Sequence, residues 1–299
     1  MRGLLVVAAG LAYCDAAIDA CGHSALPMLR DNRTVGLVRI QKTGSTTLVA
    51  LWDEVRKKRH ANPAWDEWTH GNHHDWHQVR AGEGFANART RREPVDVVVV
   101  NLRDPVDRVL SEYYFCVLRL NCVQQDQWDY AHRGRRETSV ALLRERLLAH
   151  LNGSRSLGLG EWVEWPGNPA HERQSHYVSG FRYGEFRSGE SLDDARAHLC
   201  DPDAVVLLSI DLPDESRALA RHELGWDVTA TDWTKVRPAG KSRYVAAPDH
   251  LPPEPPREGV DDAMRAEIRR RNPRDAALYD LARRVVLSRA AMLPRAVVG

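Results

Sequence analysis

Three stretches of this chain, Val35 to Ile40, Val95 to Leu102 and Ala204 to Ile210, are almost continuously apolar and rich in Val, Ile or Leu. A strand with one wet face alternates polar and apolar residues. A run without alternation is covered on both faces, as in a parallel sheet with helices packed on either side. A helix-like segment follows the first run, Ser45 to Lys58, and another follows the second, Pro105 to about Leu118. The alternation predicts an α/β fold: a three-layer domain with a central parallel sheet flanked by helices.

The rest of the chain fits one such domain over roughly residues 32–293. Ala61 to Ala88 is polar and rich in Trp and His, which predicts loops with short helical turns. Arg135 to His150 has helical composition, and Gly153 to Gly167 reads as an irregular excursion. Pro248 to Pro256 is an extended strap, because its prolines cannot continue a helix. Asp261 to Arg271 and Arg274 to Arg289 read as two helices broken at Asn272-Pro273. Lys and Arg number 42 against 41 Asp and Glu, so the net charge is only +1. That balance excludes a bulk polyelectrolyte grip on nucleic acid, and any anion site must be local.

Residues 1–20 carry one early positive charge, Arg2, then about ten apolar residues and a cluster of small ones. That is the order of a secretory signal peptide or an uncleaved signal anchor, the latter giving a membrane tether. A buried N-terminal element is the alternative. Export places the protein in the secretory pathway, where Cys21, Cys116, Cys122 and Cys200 can form two bridges in any of three connectivities, free buried cysteines being the alternative. The sequons at Asn32 and Asn152 then become glycosylation acceptors.

The segment Gln41-Lys42-Thr43-Gly44-Ser45-Thr46-Thr47 joins the first strand to its helix. Backbone N–H groups at a helix start favour an anion, and Lys42 adds a full charge with hydroxyls around it. The loop suits a phosphate or phosphosulfate. It is not a Walker A loop, in which lysine follows the second glycine, since Lys42 precedes Gly44. No paired acidic arrangement reads as a magnesium site. A second element, Leu102-Arg103-Asp104-Pro105-Val106-Asp107-Arg108 with Ser111-Glu112, follows the second strand. Asp104 suits an N-cap and Pro105 the first helical position. Arg103 then sits at a strand's carboxyl end, where α/β sheets place ligands, and converges with Ser111 on a second phosphate. Asp104, Arg108 and Ser111 follow one helical stripe.

These two motifs resemble those of Golgi carbohydrate sulfotransferases, most closely the heparan sulfate 6-O-sulfotransferases, whose loops read QKTGGTT and LRDPVSRYLSE. The resemblance implies a P-loop-like fold and the donor 3′-phosphoadenosine 5′-phosphosulfate (PAPS), with 3′-phosphoadenosine 5′-phosphate (PAP) as product. It implies that Lys42 contacts the 5′-phosphate and bridging oxygen while Arg103 and Ser111 hold the 3′-phosphate. Gly71 to Trp76, Asn168 to Gln174 and Asp275 to Ala282 are fainter echoes of the same family. Ser45 stands where the family has glycine, and much of the family's cysteine-bearing middle region has no evident counterpart. A Golgi lumen or membrane location, or secretion, follows.

Sulfuryl transfer to a hydroxyl needs a base. His70, His73, His74 and His77 crowd one stretch, and His73 matches the family's catalytic histidine, with His74 second. The same four histidines also suit a surface loop or a zinc site. The donor reading itself needs no metal, because a sulfuryl group carries less charge than a phosphoryl group. Trp65, Trp68, Trp76, Trp162 and Trp165 either stack on sugar or close the edge of a core. Arg89-Arg91-Arg92, Arg133-Arg135-Arg136 and Arg269-Arg270-Arg271 either receive an anionic polymer or are solvated faces. The resemblance implies a glycosaminoglycan-like or other polysaccharide hydroxyl as acceptor, with a small metabolite or a protein tyrosine behind it. The competing classes are a P-loop kinase and a non-catalytic glycan-binding protein on the same scaffold.

Overall fold

The structure is a computed structural model that describes residues 21, 35–38, 40, 43–44, 48, 76–80, 95–114, 158–165, 168, 170–180, 190–201, 205–226 and 260–294. Residues 1–20, the sequons, Arg135 to His150 and the proline strap lie outside these. So does most of the expected helix from Ser45 to Lys58.

Each of the three apolar runs is a strand: β1 (Val35–Val38), β2 (Val97–Leu102) and β3 (Val205–Ser209). All pairs are parallel in the order β1-β2-β3, with Val35 opposite Val97 and Leu102 opposite Ser209. Every residue of β2 is buried, as a run without alternation requires. β2 starts two residues later than its apolar run. The Val95 amide donates to the Arg80 carbonyl at 3.1 Å and the Arg80 guanidinium returns to the Val95 carbonyl at 2.7 Å. That exchange ties Val95 to the short helix α1 (Trp76–Arg80) and not to the ladder.

The helices that follow are α2 (Pro105–Tyr113), α3 (Leu159–Glu164), α4 (Arg173–Ser179), α5 (Glu190–Leu199) and α6 (Pro213–Glu223). The last two are α7 (Asp262–Arg271) and α8 (Pro273–Ala291). In α2, Asp104 accepts from the amides of Val106 (2.8 Å) and Asp107 (3.4 Å), and Pro105 occupies the first turn, where its missing N–H is harmless. The break between α7 and α8 falls at Asn272-Pro273, as the sequence predicts, and α8 runs on to Ala291. The architecture is α/β, a small parallel sheet with helices.

The expectation for Gly153 to Gly167 is corrected. The stretch read as an irregular excursion contains α3, which buries Trp162 and Val163 against Val109, Leu110 and Ile268. Two glycines in Gly158-Leu159-Gly160 hide the helix from a propensity reading, and tertiary burial decides it. This cluster between α2, α3 and α7 is separate from the larger core around the sheet, α1, α5, α6 and α8. Trp76, Trp162 and Trp165 are all core residues, so none of the three is a sugar-stacking face. Trp65 and Trp68 lie outside the described residues.

Of the open disulfide pairings, the structure contains Cys21–Cys200; Cys116 and Cys122 lie outside the described residues. Among the described residues, no helix is long and apolar enough to cross a membrane.

Candidate functional site

The carboxyl ends of β2 and β3 meet the turn that follows β1. Gly44 has φ 85°, a left-handed backbone that favours glycine. A β-carbon there would lie 2.6 Å from Ile210 Cδ1, so the turn also needs the space. The buried Asn101 side chain donates from Nδ2 to the Thr43 carbonyl, pinning the turn to β2 two residues before Arg103. Thr43 is fully buried and its hydroxyl donates to the Ile40 carbonyl at 3.1 Å. That hydroxyl is part of the turn's internal structure, so Thr43 can offer an anion its backbone but not its side chain. The Leu48 amide returns to the Gly44 carbonyl at 3.2 Å, the bond from residue i to i−4 that opens a helix. Gln41, Lys42, Ser45, Thr46 and Thr47 lie outside the described residues, as do His70, His73 and His74.

Arg103 leaves β2 half-buried, and Ser111 lies two turns into α2, also half-buried. The expected stripe of Asp104, Arg108 and Ser111 does not hold together. Arg108 has no exposure and points into the protein, bonding Glu112 at 2.8 Å and the Ala170 carbonyl, with Asp275 at 3.7 Å. Arg108 falls on the buried side of α2 although Asp104 and Ser111 are half-buried, and a guanidinium so deep needs carboxylates around it. Arg173 adds a second cation to Glu112 at 2.9 Å.

Around this ion network, α4 and α8 exchange carboxylates. Glu172, just before α4 and in a left-handed conformation (φ 50°), accepts the amides of Arg274 (3.0 Å) and Asp275 (2.7 Å) at the start of α8. Asp275 in turn accepts the amides of Gln174 (3.2 Å) and Ser175 (2.8 Å), and the Ser175 hydroxyl (2.8 Å), at the start of α4. Each helix thus caps the other's amide-rich end. Burial, and then the charge of Asp275, push the Glu172 carboxyl up to about 7. Burial, and then Arg108, push His171 down to about 4.

Asp104, Asp107, Asp211, Arg265, Arg269 and Tyr279 line an open cleft of about 410 Å³ between α2, α7 and the end of β3. Its charges are matched: Arg269 meets Asp104 at 2.6 Å and Arg265 meets Asp107 at 3.8 Å. Asp211 accepts the Asp104 amide (2.7 Å) and the Tyr279 hydroxyl (3.0 Å). Burial, and then Asp211, raise the Tyr279 hydroxyl above its ordinary value. The Arg269-Arg270-Arg271 run is likewise answered within the protein, Arg270 and Arg271 both bonding Glu267. It is not an open basic patch.

Of the four crowded histidines, His77 is described. It is exposed, edge-on to His198 with ring centres 5.6 Å apart, and packs over Gly180, where a β-carbon would strike its ring. His198 stacks on Trp76 at 4.4 Å and bonds the Val178 carbonyl through Nδ1 at 2.7 Å. Burial holds its pKa below the usual value. Among the described residues, no group of three or more His, Cys, Asp or Glu is gathered to hold a metal.

Gln174 and Asn101 tie the strand-end segments together, yet nothing in residue type or spacing singles them out. The faint family echoes at Asn168 to Gln174 and Asp275 to Ala282 were the only available signal. No family model matches the chain, and no curated protein matches it significantly.

Proposed function

We propose that this chain is a sulfotransferase moving a sulfuryl group from PAPS to a hydroxyl of a carbohydrate, on a P-loop-like α/β domain. One observation carries the reading. Asn101 anchors the Thr43–Gly44 turn to β2, so a loop of anion-binding composition and the strand-end Arg103 belong to the same edge of one sheet. That edge is where ligands of parallel α/β sheets bind. Lys42, the amides of residues 43–47 and the hydroxyls of Ser45, Thr46 and Thr47 take the 5′-phosphosulfate, with Gln41 at the loop's start. Arg103 and Ser111 take the 3′-phosphate.

His73, with His74 as second choice, removes the acceptor hydroxyl's proton. The new sulfur–oxygen bond forms in line as the bond to the donor phosphate breaks, and Lys42 neutralises the charge left on the departing PAP. The reaction needs no metal in this scheme. By resemblance the acceptor is a heparan-sulfate-like glycan, modified at a 6-hydroxyl. The Cys21–Cys200 disulfide favours an oxidising compartment of the secretory pathway, the Golgi among them.

Thermal shift tests the donor. PAP at a hundred times its Kd adds about 2.7 kcal/mol of stability, a rise of roughly 5–10 °C, with no metal added. Stabilisation by ATP with Mg²⁺ and none by PAP would instead support a kinase. PAP binding without transfer of labelled sulfate to any glycan would support a binding protein. Lys42→Ala and His73→Ala are each expected to lose most turnover while remaining folded.

A further inference from the structure

We propose that Gln174 is a positioning residue for the nucleotide's 3′-phosphate, acting through the backbone of Arg103; the inference rests on the donor reading above. The last paired rung of the sheet at this edge is Leu102 opposite Ser209. Arg103 is one step beyond it. Its amide donates to Gln174 Oε1 at 2.9 Å, and its carbonyl accepts from Gln174 Nε2 at 2.9 Å. A primary amide presents one acceptor beside one donor, so this side chain stands in for the next rung of a neighbouring strand.

Gln174 has no exposure, and water cannot readily replace either bond. It is also held firmly itself. Its own amide donates to Asp275, its neighbour Arg173 reaches Glu112 on α2, and Glu172 grips the start of α8. The following amide, that of Asp104, is fixed from another part of the chain by Asp211 at 2.7 Å. The backbone from which the Arg103 side chain departs is thus fixed from two directions. Fixing a ligand-binding group before the ligand arrives lowers the ordering cost of binding.

The test is Gln174→Met, which keeps the length of the side chain and removes both bonds. Calorimetry on the full chain would compare PAP with adenosine 5′-phosphate, which lacks the 3′-phosphate. The expected result is about a tenfold loss of PAP affinity, the loss of one or two buried hydrogen bonds' worth of alignment, with the 5′-phosphate nucleotide held within about twofold. Equal losses for the two ligands would mark a merely structural role and overturn the proposal, as would no loss at all. A wild-type protein with no preference for PAP over the monophosphate would overturn the donor reading and this inference with it. Should the variant fail to fold, amide exchange on the wild type decides. PAP is expected to slow exchange at Arg103 more than the monophosphate does, and equal slowing by both refutes the idea.

Discussion

Replacing Asp275 with alanine tests the reciprocal capping of α4 and α8. Asp275 has no exposure and accepts two backbone amides and a hydroxyl. Each buried donor left without a partner costs about 1–3 kcal/mol. Arg108, 3.7 Å away, would keep Glu112 as its close carboxylate but lose the second. Relief of Glu172, whose carboxyl Asp275 now helps push up, offsets part of the loss. The net expectation is about 4–6 kcal/mol, less than the sum of the parts because the groups share one network. At a slope of about 2.5 kcal/mol per molar urea, the midpoint falls by about 2 M. Asp275→Asn keeps one acceptor oxygen and is expected to lose about half as much. Glu267→Gln, which breaks partly exposed surface pairs to Arg270 and Arg271, is the control, with a change of less than about 1 kcal/mol expected. An Asp275→Ala midpoint equal to that of wild type would refute the reasoning.

Two further outcomes are expected. His171 is held neutral down to about pH 4 against an ordinary 6.5, so its contribution is present above 6.5 and falls as pH drops, by about 3 kcal/mol across that window. Glu172, raised from 4.5 to about 7, has the opposite sign, its penalty growing as pH rises from 4.5 to 7. Urea midpoints against pH should therefore steepen toward acid instability in Glu172→Gln and tilt the other way in His171→Gln. Parallel profiles in both variants would contradict the assignment. Gly44→Ala is expected to lose about 1–2 kcal/mol from its positive φ, and more from the 2.6 Å approach to Ile210. Adding Ile210→Ala should recover only the second part in a denaturation series, and a neutral Gly44→Ala would remove the turn's strain from the account.

Much of the fold was legible because its signals are local. Strands buried on both faces leave uninterrupted apolar runs, and Asp104-Pro105 and Asn272-Pro273 mark helix boundaries by chemistry that depends on no distant partner. The short α3 was missed because its glycines oppose it and its reason for existing, Trp162 in a pocket between α2 and α7, lies elsewhere in the chain. Arg108 was misjudged for a related cause. Helical spacing placed it on a stripe with Ser111, but spacing alone cannot tell a face turned to solvent from one turned to Glu112 and Asp275.

The sequence alone determined the parallel α/β character, the loop of anion-binding composition after β1 and the arginine at the end of β2. Each depends on residues within a few positions of one another. Only the tertiary structure decided that Asn101 joins the loop to the strand, that Gln174 holds Arg103, and that α4 and α8 cap each other. Those contacts join residues 58, 71 and about 100 positions apart, and a hydrogen bond over such a span exists only once the chain has folded and excluded the water that would compete for it.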